Sequence, residues 1–278
     1  MLMSDAIYFD DGDAINAHMD NAVGVDIRKA TAEHTIIKEC FEQAGIQVVQ
    51  VPAPLKCQDG VYTANWGLVR GNKVVLSNLP NSRKPEEPYA EQVLKNLGYE
   101  TMKLPQNIRF SGQGDALPCG EYLFVGSQYR TDLTAHKLLA DMLDFTVIGL
   151  QTIPLLDSKG QVRVNAVTGW QDSYFYDIDL ALAVINPQLI AWCPDAFLPE
   201  SQAVIRSLQT IEKIEVDFDE ALHGFACNLV STGDVVVMSN RAPKLQAALA
   251  TRGLQIITPD VSEIIKGGGF IRCTSLTL

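Results

Sequence analysis

Gly45-Ile46-Gln47-Val48-Val49-Gln50-Val51-Pro52 returns in altered form as Gly98-Tyr99-Glu100-Thr101-Met102-Lys103-Leu104-Pro105. It returns again as Gly253-Leu254-Gln255-Ile256-Ile257-Thr258-Pro259. Each copy follows a segment with helical spacing. Ile36, Ile37, Cys40, Phe41 and Ala44 fall on one helix face before the first, Tyr89, Val93, Leu94 and Leu97 before the second, and Leu245 and Leu249 before the third. Glycine directly after such a face is a helix stop, because it enters the left-handed conformation without a Cβ clash. Two looser copies add Leu138, Leu139, Met142 and Leu143 ahead of Phe145–Leu150, and Val204, Ile205, Leu208 and Ile211 ahead of Ile214–Phe218.

After each strand the spacing predicts a hairpin. Val61–Val69 turns at Arg70-Gly71-Asn72 into Val74–Ser77, and Asp115–Leu117 turns near Cys119-Gly120 into Tyr122–Gly126. Ile178–Ile185 turns at Asn186-Pro187 into Leu189–Cys193, and Asn228–Val230 turns at Thr232-Gly233-Asp234 into Val235–Met238. The unit is helix, strand, hairpin, repeated about five times every ~45–60 residues, and an array whose units bury faces against neighbours closes like a propeller. The last copy is expected to pair with Ala6–Phe9 and close the ring. No GxGxxG follows a first strand, which argues against a dinucleotide fold, and Gly112-Gln113-Gly114-Asp115 is expected to open a strand. Asp157–Ser173 stands outside the pattern as an insertion, a hairpin or lid.

Composition sets the outer limits. A chain of 278 residues with 47% hydrophobic and 20% charged residues is an ordinary globular protein. Its net charge of −11 disfavours nucleic acid and anionic membranes as partners, and no apolar run is long enough to span a bilayer. No secretory signal is visible, and six cysteines without CxxC spacing fit a reduced chain; the expected compartment is the cytoplasm.

The carboxyl end carries the chemistry. Gly267-Gly268-Gly269 delivers Cys273 onto what reads as a short apolar strand, where a thiolate would be aimed as a nucleophile. Four stretches carry a resemblance: Asp59-Gly60-Val61-Tyr62-Thr63-Ala64-Asn65, Phe110–Asp115, Tyr176-Asp177-Ile178-Asp179 and Gly267–Cys273. In that order they are similar to the D-x-V-F-T-A-N/D, F-E-G-x-G-D, Y-H-L-D and G-G-G-x-x-C motifs of the guanidino-group-modifying enzymes: amidinotransferases, arginine deiminases, dimethylarginine dimethylaminohydrolases and arginine dihydrolases. Ile15-Asn16-Ala17-His18-Met19 resembles an early I-N-P-W-M element. The motifs run in family order over nearly the whole chain.

The resemblance implies an α/β fold, the pentein: a five-bladed α/β propeller with pseudo-fivefold symmetry, formed by residues 1–278 as a single catalytic-type domain. It implies a cysteine-dependent hydrolase of a guanidino or amidino compound, arginine-like, working through a covalent thiouronium-type intermediate without metal or organic cofactor. Cys273 maps to the nucleophile, Asp115 and Asp179 to carboxylates facing the guanidinium, and Asn65 to the residue beside the leaving group. Arg83 and Arg130 are candidates to grip a substrate carboxylate, and Asn16 to line the pocket. Two positions depart from the pattern: Asp177 replaces the family histidine and Ser111 the family glutamate. Proton transfer then falls to Asp177, helped by His223 or His18, while His34 and His136 read as surface residues. The alternatives are a catalytically silent pentein that binds a guanidino metabolite or a protein, and an amidinotransferase. A homo-oligomer is left open.

Overall fold

The computed structural model describes residues 1–20 and 22–278 and is a mixed α/β fold. The chain starts with β1 (Leu2–Ser4), α1 (Ile27–Gln43) and β2 (Val49–Val51), and the two strands pair in parallel. Helix α1 starts where the Asp26 carboxylate accepts from the Arg28 and Lys29 N–H groups, and it stops before Gly45, at φ +80°.

Four further sheets share one plan, an antiparallel hairpin followed by a helix and a third strand parallel to the second. They are β3 (Gly67–Arg70), β4 (Lys73–Leu76), α2 (Glu86–Asn96) and β5 (Glu100–Lys103), then, after the single turn α3 (Gly112–Asp115), β6 (Ala116–Cys119), β7 (Tyr122–Gly126), α4 (Leu133–Leu143) and β8 (Thr146–Leu150). β9 (Leu182–Asn186), β10 (Leu189–Trp192), α5 (Pro199–Ser207) and β11 (Glu212–Glu215) form the next. Last come the short helix α6 (Phe218–Gly224), β12 (Val230–Ser231), β13 (Val235–Val237), α7 (Pro243–Ala250) and β14 (Gln255–Ile257). The middle strands are buried, whereas the third strands are half-exposed edges carrying Glu100, Lys103, Glu212 and Glu215, charges that blunt edge pairing. β6 lies beside β9, and β9 beside β12.

The termini meet, but not through Ala6–Phe9. Leu2 and Leu276 exchange backbone hydrogen bonds of 2.8 and 2.9 Å, so Leu276 occupies beside β1 the place a first hairpin strand holds elsewhere. Ala6–Phe9 is a turn because the Asp5 carboxylate accepts from Ile7 N–H at 3.1 Å and redirects the chain. Three other expectations change. Gly112–Asp115 is a helical turn ahead of β6 rather than the strand's opening. Cys273 lies in a turn, not on a strand, with Thr274 N bonded to Phe270 O and Ser275 N to Arg272 O. His34 and His136 are buried, because each continues an apolar helix face: Ala30, His34, Ile37 and Phe41 on α1, and His136, Leu139 and Leu143 on α4. The 157–173 insertion folds back on itself through bridges Leu156–Val162 and Val164–Gln171, and Asn165 Nδ2 ties it to Ala14 O at 3.0 Å.

Burial lowers the His34 pKa from 6.5 to about 4. A base depressed in the folded state favours folding above its unfolded pKa, and that stability is lost as pH falls from 6.5 through 4. The His34→Leu protein is therefore expected to lose less stability than wild type over that window, by up to about 3 kcal/mol. Urea unfolding at intervals of pH checks this; parallel profiles for the two proteins would refute it.

Candidate active site

The turn that holds Cys273 is set by Gly268, at φ +82°, where a Cβ would run into the Asn16 side chain. Asn16 Nδ2 in turn donates to Gly267 O at 2.9 Å. The thiol that results is buried, 3% exposed, and clasped by one residue. Asn228 Nδ2 donates to Cys273 Sγ at 3.1 Å, and Cys273 N donates to Asn228 Oδ1 at 3.2 Å. Cys273 Sγ also lies 3.4 Å from Asp179 Oδ2, as donor to that oxygen. Burial first, and the Asp179 carboxyl second, raise the thiol well above its ordinary pKa, so the ligand-free site holds a neutral thiol.

Asp115, Asp177 and Asp179 are all buried around this thiol. Asp115 Oδ1 accepts from Ile178 N at 3.0 Å, and its carboxyl fills space beside Gly126 that a Cβ would occupy. Asp177 Oδ2 accepts from Asn65 Nδ2 at 2.8 Å and from Ser111 Oγ at 3.2 Å. One oxygen of each, Asp115 Oδ2, Asp177 Oδ1 and Asp179 Oδ1, has no partner. Burial raises all three pKa values; for Asp115 and Asp179 the next cause is the charge of Asp177, whereas Arg130 and then Ser111 and Asn65 counter the rise at Asp177 itself. Among the described residues no group of three or more His, Cys, Asp or Glu is arranged to hold a metal ion.

Asn16, Asn65, Arg83, Ser111, Arg130, Asp177 and Cys273 line one enclosed pocket of about 20 Å3. The two arginines in it differ. Arg83 is committed to the protein: Nε and Nη2 fork onto Glu86 at 2.8 and 2.7 Å, Nη1 donates to Asn65 Oδ1 at 2.8 Å, and Nη2 also reaches Asp59 O and Tyr62 O. Arg130 is not. Its Nη2 donates to Ile15 O, its Nη1 has no partner, and its guanidinium lies 4.9 Å from the Tyr176 ring centre.

No imidazole reaches the sulfur. His223 is on the solvent face of α6, its side chain 71% exposed and Nε2 3.8 Å from Asp219. It faces outward because Glu220, Ala221 and Gly224 take the buried side of that short helix. His18 packs among Phe225, Tyr174 and Tyr176, bonds Tyr174 O at 2.7 Å, and is held neutral by burial, with its pKa lowered to about 4. Sequence reasoning missed Asn228, Glu86, and the two phenols that brace the glycine turn, Tyr62 (to Ile264 O, 2.5 Å) and Tyr176 (to Gly268 O, 2.8 Å). It also passed over Asp59, the first residue of its motif, which lines the pocket with its pKa raised to about 7 by burial.

Comparison with known proteins agrees with this geometry. Residues 5–278 match the family model described as N,N dimethylarginine dimethylhydrolase, eukaryotic. The chain is 30% identical to the N(G),N(G)-dimethylarginine dimethylaminohydrolase of Mycobacterium tuberculosis, over 95% of this chain and 81% of that protein. It is also 30% identical to the bifunctional arginine dihydrolase/ornithine cyclodeaminase ArgZ of Synechocystis, over 99% of this chain but only 37% of that longer protein. The crystal structure of an N-terminal domain of ArgZ covalently bound to a reaction intermediate superposes with a TM-score of 0.87 at 28% identity, covering 99% of this chain and 96% of that one.

Because the Asp179 pKa is raised above its unfolded value of 3.8, its contribution to stability is complete below that pH and is lost as pH rises. Asp179→Asn is therefore expected to stabilise the ligand-free protein by about 1–3 kcal/mol at pH 8 and by nearly nothing at pH 4. Chemical unfolding at both pH values tests it, and an equal difference at the two would refute it.

Proposed function

The chain belongs to the N,N-dimethylarginine dimethylhydrolase family of guanidino-group-modifying enzymes, and on that basis we propose that it is a cysteine-dependent hydrolase of an arginine-like guanidino compound. One observation carries the reading: a buried thiol stands among three buried carboxyls, each with an oxygen free to accept a hydrogen bond. A guanidinium is planar, permanently charged and all donor, which is what such a group of acceptors lacks. Arg130, with Nη1 unpartnered, would hold the carboxylate end of the substrate, while Arg83 keeps Asn65 in place. In this reading the five sheets are the blades of a pentein propeller forming a single domain over residues 1–278, working in the cytoplasm.

Binding of the cation would favour ionisation of Asp115 and Asp179. The Cys273 S–H proton would then pass to Asp179 Oδ2, and the thiolate, held by Asn228 Nδ2, would attack the guanidinium carbon. Asp177, raised in pKa and lining the same pocket, would donate a proton to the departing amine. Water would finally attack the thiouronium carbon, one of its protons passing to Asp177 and the other leaving on the released amine. The C–S bond would break, and the departing thiolate would take its proton back from Asp179. The absence of any imidazole near the sulfur favours one second reading, a protein that binds a guanidino compound without turning it over.

Arginine, methylarginines and agmatine, each assayed for ammonia, citrulline and ornithine, separate the two. Turnover of at least one is expected, with an adduct on Cys273 detectable by mass spectrometry after acid quench and a loss of about 1,000-fold or more in Cys273→Ser. Saturable binding of a guanidine without turnover would sink the hydrolase reading and leave the binding one. Asp177→His then shows whether the missing imidazole had silenced the site.

A further inference from the structure

Beyond the thiol lies a second space. The inner strands β6, β9 and β12 surround a cavity of about 520 Å3, which is within the range of small-molecule sites. Leu117, Leu182, Ile185, Leu229 and Val230 make most of its wall apolar. Its polar lining includes Asp179, which touches the thiol, and Arg272, the residue before it in the chain.

Arg272 is an unusual cation. It is only 8% exposed, yet its bonds are to neutral acceptors, Nη1 to Ser275 O at 2.7 Å and Nη2 to Gln113 Oε1 at 2.8 Å. Among the described residues no carboxylate lies within ion-pair distance of it, although Asp179 is near enough to favour its charge through space. Arg83, equally buried, has the Glu86 fork. A buried guanidinium without a counter-ion is costly, and an anion delivered by a ligand would relieve that cost. Asp179, the acidic side chain in the lining, is pushed toward its neutral form by burial and Asp177, with the Arg272 charge acting the other way.

We propose that this cavity is a second ligand site, separate from the thiol pocket, for a monocarboxylate with a short apolar tail. The head group forks onto Arg272, and the tail lies against β9 and β12. The site stands whether or not the thiol pocket turns over a guanidine. It shares a residue with that pocket, Asp179, so its occupant sits next to the group that touches the sulfur.

Calorimetric titration with hexanoate tests this, with hexanamide as the uncharged probe of equal length. A single saturable site is expected for hexanoate, with hexanamide at least about tenfold weaker, because the charge-assisted fork is lost. Arg272→Gln should weaken hexanoate binding by a similar factor. Arg130→Gln is run beside it, since Arg130 is the other guanidinium able to take a carboxylate, and this variant should bind hexanoate as wild type does. Ala183→Phe fills the cavity from its wall without touching Arg272 and should abolish binding, the thermal midpoint of each variant confirming that it is folded. Hexanoate binding that survives Arg272→Gln or Ala183→Phe, that is lost in Arg130→Gln, or that hexanamide equals, would overturn the proposal. So would the absence of any saturable heat.

Discussion

The site depends on one costly condition, three carboxyls buried about a thiol with no cation in contact with any of them, only Arg130, Arg83 and Arg272 acting from a distance. Each is held by ordinary means, Asp115 by a backbone N–H, Asp177 by Asn65 and Ser111, and Asp179 by the thiol and Asn228. None is neutralised by an arginine at contact distance, although Arg83 and Arg130 stand in the same pocket. The protein has cations available and uses them elsewhere, Arg83 on Glu86 and Arg130 on Ile15 O. That leaves acceptors without donors in a desolvated space, a state that disfavours charge on carboxyl and thiol alike. In the proposed hydrolase a bound guanidinium would be the complement that reverses both effects, supplying donors and a positive charge to the cluster that burdens the empty fold.

The surrounding scaffold keeps this cluster from relaxing. Gly126 admits the Asp115 carboxyl where any side chain would exclude it, and Gly268 lets the final turn press against Asn16. Tyr62 and Tyr176 brace that turn through backbone carbonyls, and Asn228 fixes Cys273 through two atoms at once, Nδ2 donating to the sulfur and Oδ1 accepting from the backbone N–H. Rigid placement matters here because a carboxyl free to swing would find water or an arginine and lose its unpartnered oxygen.

Much of this was legible in the sequence, for reasons that differ by residue. The helix stops at Gly45, Gly98 and Gly253 could be read because helical spacing and a left-handed glycine reinforce each other, and all three have positive φ. The hairpins could be read from their turn residues. Leu276 could not, since a single bridging residue has no period. His34 and His136 read as surface groups because an imidazole counts as polar in a pattern, while in the fold each completes an apolar face. Of the site residues inside motifs, Asn65, Ser111, Asp177 and Cys273 line one pocket, whereas Asp179 touches the thiol from the larger cavity and Asp115 sits behind Gly126 and Ile178. Asn228 escaped because its bond to the sulfur spans 45 residues and no local spacing announces it. His223, five positions before the Asn228 that touches the sulfur, faces solvent because its short helix buries the opposite side.

The exchange of the family histidine and glutamate for Asp177 and Ser111 is best understood as one change. An imidazole at position 177 would be a second base beside Asp179 and would want an acid to orient it. A carboxyl there wants donors instead, and Ser111 Oγ and Asn65 Nδ2 supply two. A glutamate at 111 would place another negative group against Asp177 and repel it. The serine is therefore the smaller donor that the aspartate requires. In the proposed mechanism the pair would replace an orienting carboxylate and a proton-carrying ring by a donor and a carboxyl whose pKa burial raises.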